Sequence, residues 1–380
     1  MRQSAYNLVT ELGDGRVLLT NLLSRSVLAV SNAQRILMEQ LTGEMDLAGF
    51  DELQREFIAT LAQTLFILPD DFDELAHVRR MHQDARADVG VKNLVIAPTM
   101  QCNMSCHYCF ENRTGPSMCP SVQDALFRHV SVGLAAYDSL HVQWFGGEPL
   151  LNLEMIETLS ARFSDETVRQ GKDYSAEIIT NGVLLSEDAA RRLAAVNVRE
   201  AQITLEGMQT FHDKVRFTNE HGKSFDKILQ NVASASPHLN INVRVHVAPY
   251  NLDSVHELID HLGTSVAKSI TRLYFSPLFN YQAEGKLAQY LIDRRKFMGA
   301  REFAEVQIEL IRRANSYGIE TGDPLKASYG LCLAMLHGTD VVGPTGALTN
   351  CYLDINVESK AHTNLIDGRF SPELKAVWTD

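Results

Sequence analysis

The stretch Thr99-Met100-Gln101-Cys102-Asn103-Met104-Ser105-Cys106-His107-Tyr108-Cys109-Phe110 decides the reading of this chain. It follows an apolar, strand-like run, Asn93 to Pro98, and sets three cysteines in a C-x-x-x-C-x-x-C spacing. Iron-sulfur clusters are held by cysteine thiolates, normally four for a cubane [4Fe-4S] cluster. Three thiolates leave one iron without a protein ligand and open to chemistry. The competing readings of the triplet are a structural zinc site and a redox thiol cluster. Zinc sites usually close their tetrahedron with a distant second cysteine pair, and none accompanies Cys106 and Cys109 near this segment. His107 sits between two ligands and is expected to point away.

The frame around the triplet is that of an ordinary globular protein. The 380 residues suffice for a barrel-sized domain plus one or two smaller ones. A formal net charge of -12 argues against a broad nucleic-acid surface. No run approaches the ~18 apolar residues of a membrane span, and the start Met1-Arg2-Gln3-Ser4-Ala5 lacks the apolar stretch of a secretory signal. A cytoplasmic location is expected. Six cysteines, three of them bunched in one loop, suit a reducing compartment and metal binding better than a disulfide framework.

Residues 1–70 alternate short β-like runs (Leu8 to Leu12, Arg16 to Asn21, Val27 to Val30) with two amphipathic helical patterns, Asn32 to Leu41 and Asp51 to Gln63. The apolar run Leu65 to Leu68 closes them. The pattern fits a small α+β, winged-helix-like unit, followed by a helical connector over 71–92. Its second helix carries Asp51, Glu52 and Glu56 against Arg55 alone, which favours peptide over nucleic acid as its ligand; a purely structural cap is the other reading.

Over 93–300 strands and helices alternate. Candidate strands are Asn93 to Pro98, His141 to Phe145, Ala176 to Thr180, Glu200 to Leu205, Ile241 to Ala248 and Arg272 to Ser276. Six such runs imply a parallel sheet with right-handed crossovers, an α/β fold whose chemistry gathers on the loops after the strands. Each motif falls there. Gly146-Gly147-Glu148-Pro149 follows the second run: its glycines let backbone approach a ligand, and Glu148 can accept bonds from an ammonium group. Thr180-Asn181-Gly182 follows the third, and Thr204-Leu205-Glu206-Gly207 with His212-Asp213 and Arg216 the fourth.

Taken in this order, the motifs resemble the radical S-adenosylmethionine (SAM) superfamily, densest from Leu94 to Phe225. The wording around Tyr108-Cys109-Phe110-Glu111 and Trp144 to Leu151 is similar to the SPASM-type subgroup that matures ribosomally made peptides, related to anaerobic sulfatase-maturing enzymes. The resemblance implies a partial (β/α)6 TIM-like barrel. It also implies a [4Fe-4S] cluster on Cys102, Cys106 and Cys109, SAM chelated to the open iron, and a 5′-deoxyadenosyl radical as the product of SAM cleavage. Gly146, Gly147, Glu148 and Pro149 stand at the family's site for the methionyl amine, and Thr180 and Asn181 face the same pocket. Thr204 stands where a Ser contacts the ribose, Glu206 replaces the usual Asp, Met208 the usual Pro, and Arg216 stands where an Arg pairs with the SAM carboxylate. Tyr108 fills an aromatic slot near the adenine.

Residues 301–380 resemble a partial SPASM or twitch-like extension. Cys332 and Cys351 flank a hairpin around Gly343-Pro344-Thr345-Gly346, and the chain ends before that domain's remaining cysteine-rich stretch would appear. Two cysteines alone cannot hold a cubane. Either Cys119 and a non-cysteine ligand complete an auxiliary iron-sulfur site, or the domain has lost its clusters, or this is a truncated form; two unliganded cysteines are the plain alternative. The expected partners are a precursor peptide bound through its leader and a reductant such as flavodoxin or ferredoxin. The expected reaction is hydrogen abstraction from that peptide, leading to a carbon-carbon, thioether or ether crosslink or a related modification. Formylglycine formation in a sulfatase is the second enzymatic reading, and a DNA-binding iron-sulfur regulator the third.

Overall fold

The computed structural model of the chain describes residues 1–43, 47–87, 90–111, 113, 115–220, 222–278, 297–322, 331–355 and 357–379. The chain divides into two compact units.

The first is built on Met1–Arg86. After β1 (Arg2–Gln3), strands β2 (Asn7–Glu11), β3 (Arg16–Asn21) and β4 (Ser26–Ser31) form an antiparallel meander. Alternation on β3 turns Val17, Leu19 and Asn21 inward. Helices α1 (Asn32–Gln40) and α2 (Glu52–Gln63) each begin on a reciprocal capping box, Ser31 with Gln34 and Asp51 with Gln54, which answers two of the backbone amides that have no intrahelical partner. Strand β5 (Ile67–Leu68) returns antiparallel to β1, and α3 (Glu74–Ala87) follows. Leu19, Met38, Leu61 and Phe66 are fully buried between sheet and helices.

In the second unit strand and helix alternate: β6 (Val91–Ile96), α4 (Pro120–Gly133), β7 (Ser139–Trp144), α5 (Leu153–Arg169), β8 (Asp173–Thr180), α6 (Glu187–Ala195) and β9 (Val198–Leu205). Then come α7 (Gln209–Val215), α8 (Phe225–Ala235), β10 (Asn240–Val247), α9 (Leu252–Ser265) and β11 (Arg272–Pro277). Strands β6 to β11 lie side by side in chain order, all parallel, as the six apolar runs lead one to expect. Their helix-facing side chains (Val142, Ile178, Ile203 and Val243 among them) are fully buried in one continuous core. Transfer of such a side chain from water is worth roughly 1.5–3 kcal/mol, which makes this layer the main stabiliser of the sheet.

The residues read above as a C-terminal extension add strands to the same sheet. Helix α10 (Ala300–Ser316) buries Leu310 and Ala314 in the same core, and β12 (Thr339–Val342) pairs in parallel with β6, Val341 opposite Val95. Strands β13 (Ala347–Thr349) and β14 (Thr363–Asn364) continue the sheet antiparallel, and α11 (Pro372–Thr379) follows. The physical reason is the edge. A bare β6 would leave a row of unpaired backbone groups, and the apolar residues of the expected hairpin, Val341, Val342 and Leu348, are fully buried by covering it. Among the described residues no helix is long and apolar enough to cross a membrane.

Candidate active site

Inward-facing side chains and the loops after the strands enclose a cavity of about 460 Å3 in the second unit. The cysteine triplet stands on the loop after β6. That loop is tied to the segment after α7 by Ser105 N to Phe217 O at 2.9 Å, His107 N to Val215 O at 3.1 Å and Asn219 N to Asn103 O at 3.0 Å. Strand-like pairing of these two loops brings Arg216 beneath Tyr108. Cys102, Cys106 and Cys109 are all free thiols that line the cavity. Burial pushes Cys102 up to about 12 and Cys109 up to about 11, so cluster assembly here must displace protons.

The Gly146-Gly147 turn after β7 lies against the same loop. Gly147 N donates to Thr99 O at 3.1 Å and Glu148 N to Gln101 O at 2.9 Å. A Cβ on Gly147 would fall 2.3 Å from the Gln101 carbonyl oxygen, and one on Gly146, whose φ is +106°, would meet Thr99 O at 2.6 Å. Only glycine permits this approach. Both glycines line the cavity.

Glu148 itself stands behind them with no solvent exposure. Its carboxylate accepts from Leu150 N at 3.0 Å, Thr180 Oγ1 at 2.7 Å and Asn181 N at 2.8 Å, which ties the β7 turn to the β8 loop. Burial raises its pKa despite these bonds. Pro149 opens the short helical turn that follows. Asn181 faces the cavity and donates from Nδ2 to Asn103 Oδ1 at 2.7 Å and to the Cys102 sulfur at 3.9 Å.

On the far wall Arg216, 8% exposed, donates from Nη1 to the Tyr108 hydroxyl at 2.6 Å, and that hydroxyl donates to Glu206. His246 Nδ1 pairs with the same Glu206 oxygen at 2.8 Å. Burial works against charge on Glu206, but His246 and Arg216 outweigh it and hold the carboxyl below its ordinary value. Burial likewise opposes the Arg216 charge, and Cys106, Tyr108 and Glu206 more than restore it. Thr204 and Tyr108 line the cavity, and Glu206 stands one layer behind. Arg216 Nε is buried with no hydrogen-bond partner.

These features fit the group that the triplet suggests. Three thiols outside any disulfide share one cavity, a side-chain-free turn leaves room beside them, and an orphaned guanidinium N–H awaits an anion. Among the described residues no three His, Cys, Asp or Glu side chains converge on a point that would hold a single ion. A cubane does not ask that of them, since each thiolate binds its own iron.

Cys332 and Cys351 fall outside the cavity wall, although their neighbours Leu333 and Tyr352 belong to it. They lie near enough for the Cys332 charge to raise Cys351, whose larger push upward is burial. Cys119 is exposed at the start of α4, its sulfur 3.1 Å from Ser121 Oγ. Sequence reasoning missed Gln143, Gln202, Arg244 and His246, which also line the cavity. Their signal was present: β10 alternates Asn242, Arg244 and His246 with Val243, Val245 and Val247. A parallel strand covered on both faces ordinarily reads as a continuous apolar run, so polar alternation there marks a hollow interior.

Residues 96–262 match the sequence profile described as Radical SAM superfamily, so the chain carries a radical SAM domain. Enzymes of this family use a [4Fe-4S] cluster and SAM. Among solved structures, anSMEcpe with bound AdoMet (SAM) and a peptide matches with a TM-score of 0.60 at 18% identity, over 76% of this chain and 82% of that one. SuiB of Streptococcus suis bound to the precursor peptide SuiA matches with a TM-score of 0.54 at 14% identity, over 100% of this chain and 88% of that one. At these identities the likeness is one of fold. An uncharacterised protein of Methanocaldococcus jannaschii is 24% identical over 187 residues, 48% of this chain and 62% of that protein. A GTP 3′,8-cyclase of Synechococcus is 32% identical over 115 residues, 30% of this chain. The matches span about three fifths of the first of these relatives and about a third of the cyclase.

Proposed function

We propose that this chain cleaves SAM reductively in the cavity and acts on a ribosomally made precursor peptide, producing a crosslink or a related modification. The observation that carries the reading is the likeness in fold to SuiB over the whole chain, SuiB having been solved with a precursor peptide bound. Cys102, Cys106 and Cys109 would hold the cluster, which with SAM supplies a 5′-deoxyadenosyl radical able to abstract hydrogen. Arg216 offers its unpartnered Nε to the SAM carboxylate, a guanidinium being suited to paired bonds with that group. Tyr108, held between Arg216 and Glu206, presents its ring to the adenine. Thr204 reaches the ribose, and the Gly146-Gly147 turn, fixed from behind by Glu148 and Pro149, makes room for the methionyl end. Asn181 orients Cys102. Cys332 and Cys351 offer two ligands toward an auxiliary cluster. The first unit takes the peptide leader, and a cytoplasmic flavodoxin or ferredoxin supplies the electron.

Maturation of a larger protein, such as formylglycine formation in a sulfatase, is the second reading, favoured by the higher TM-score to anSMEcpe. Anaerobic co-expression in heavy water with a short peptide encoded beside the gene separates the two. A loss of two hydrogens in one peptide segment means crosslinking, and one fixed deuterium at a backbone carbon means epimerisation. An untouched peptide, with a neighbouring sulfatase modified instead, rejects the first reading.

A further inference from the structure

Three arginines line the cavity: Arg113, whose Nη1 donates to the Met104 carbonyl oxygen at 2.8 Å, Arg216 and Arg244. Arg216 has Glu206, reached through Tyr108, and Glu206 is shared with His246. Arg244 stands on β10 two residues before His246 and on the same inward face, opposite Thr204 on β9 and Tyr274 on β11. Its one hydrogen bond among the described residues runs from Nη2 to Ser276 Oγ at 3.1 Å, and its Nε is buried with no partner. No carboxylate among the described residues forms an ion pair with it. Glu177 on β8 has other partners: Gln143 donates to it at 2.5 Å and His141 Nε2 lies 3.6 Å away. Gln202 is likewise taken, accepting from the Tyr274 hydroxyl.

Among the described residues Gln143, Glu177 and Gln202 are thus paired with one another or with neighbours, whereas the Arg244 guanidinium keeps an unpartnered Nε. Arg244 is half-buried and its Nε is shut off from water without a partner, which is costly, and a ligand that supplies an anion there answers it. The planar fork fits a carboxylate better than a neutral amide. Because Arg216 is the guanidinium committed to SAM in the reading above, and Arg113 stands on the cysteine loop bonded to Met104 O, Arg244 is the one on the strands left for the other molecule that must share the cavity.

We propose that Arg244 is the specificity-determining residue for substrate and receives a carboxylate of the target peptide, either an Asp or Glu side chain or the free C-terminal carboxylate. The proposal rests on the peptide-modifying reading but is tested without turnover.

Cluster-loaded, SAM-saturated enzyme is titrated calorimetrically with three capped tripeptide pairs built on Gly-X-Gly. They are X = Glu against Gln and X = Asp against Asn, both with amidated C-termini, and Gly-Gly-Gly with a free against an amidated C-terminus. Wild-type protein binds the acid of at least one pair about tenfold or more tightly than its neutral partner, as expected for bonds to a charged group. The pair that shows the preference tells a side-chain source from a terminal one. Arg244→Gln abolishes the preference and Arg244→Lys keeps part of it, with iron content and circular dichroism confirming that both variants are folded and loaded. Acid and neutral probes binding alike, no probe binding, or a preference that survives Arg244→Gln would each overturn the proposal. So would loss of SAM affinity in Arg244→Gln, which would assign the guanidinium to SAM. Failure of the peptide-modifying reading shows separately, in the mass of the co-expressed peptide.

Discussion

The Arg216 guanidinium donates a 2.6 Å hydrogen bond to the hydroxyl of Tyr108, joining two residues 108 positions apart in the chain. Tyr108 passes the contact on to Glu206, and His246 closes the network from the next strand. Tyr108→Phe keeps the ring and removes the bridge, leaving a buried carboxylate and a buried guanidinium each short of a partner. Losing such a bond to charged groups costs about 1.5–3 kcal/mol. SAM affinity, measured by equilibrium dialysis on the cluster-loaded protein, is expected to weaken by about tenfold or more while iron content stays unchanged; equal affinity would detach this network from SAM binding.

Replacing any one of Cys102, Cys106 or Cys109 with Ala is expected to lower the iron content by ~4 per chain and to end 5′-deoxyadenosine formation. Cys119→Ala, at an exposed site away from the cavity, should retain both. Iron assay and chromatography of the nucleoside read the result, and appreciable 5′-deoxyadenosine from a triplet variant refutes the ligand assignment.

Gly147→Ala tests the close approach of the two loops. Its Cβ would lie 2.3 Å from Gln101 O and 2.4 Å from Met100 O, backbone atoms that cannot swing aside as a side chain does. The cysteine loop must move, so cluster loading is expected to fall severalfold and the melting temperature to drop, the strain being on the scale of overpacking at about 1–3 kcal/mol. Gly222→Ala provides a control for handling, since nothing lies within 4 Å of its Cβ position although its φ of +69° adds a small strain.

Lys92 on β6 and Asp340 on β12 form a buried ion pair at 2.6 Å, with His129 3.0 Å from the same carboxylate oxygen. Removing one partner of such a pair leaves an uncompensated buried charge, which costs about 3–5 kcal/mol. Asp340→Asn is therefore expected to lower the urea midpoint markedly, whereas Lys92→Met with Asp340→Leu should recover much of the loss. If Asp340→Asn unfolds at the wild-type midpoint, the pair does not fasten β12 to the barrel.

Two histidines make stability depend on pH. Burial holds His212 down to about 3, with Arg216 adding to the effect, and holds His362 down to about 4, with Lys375 adding there. Both are neutral in the folded chain at pH 6, while an unfolded histidine titrates near 6.5. The unfolded state binds more protons between these values, so their contribution is full above about pH 6.5 and is lost as pH falls toward 4 and 3. The slope is about 1.4 kcal/mol per pH unit for each proton. Melting temperature should fall steadily from pH 7 to pH 5, and His362→Gln should flatten the fall; a flat wild-type profile would contradict the buried, neutral assignment.

The six apolar runs, the two helical patterns of the first unit and the cysteine spacing were all readable in the linear chain, because strand and helix periodicity and ligand spacing are short-range properties. They were enough to place the parallel sheet and to put the triplet, the Gly146-Gly147 turn and the Thr180-Asn181 loop at one end of it. Tertiary structure alone decided which of these groups face the cavity. It turned the Glu148 carboxylate away into the β7–β8 junction, set Glu206 behind Tyr108, and brought Arg244 and His246 in from a strand that carries no motif. It also laid β12 along β6, whose pairing partner is more than two hundred residues distant and is selected by the need to cover a bare strand edge. Local pattern fixes which backbone conformation a segment adopts, whereas the direction of a buried polar side chain follows from the partners that folding brings within reach.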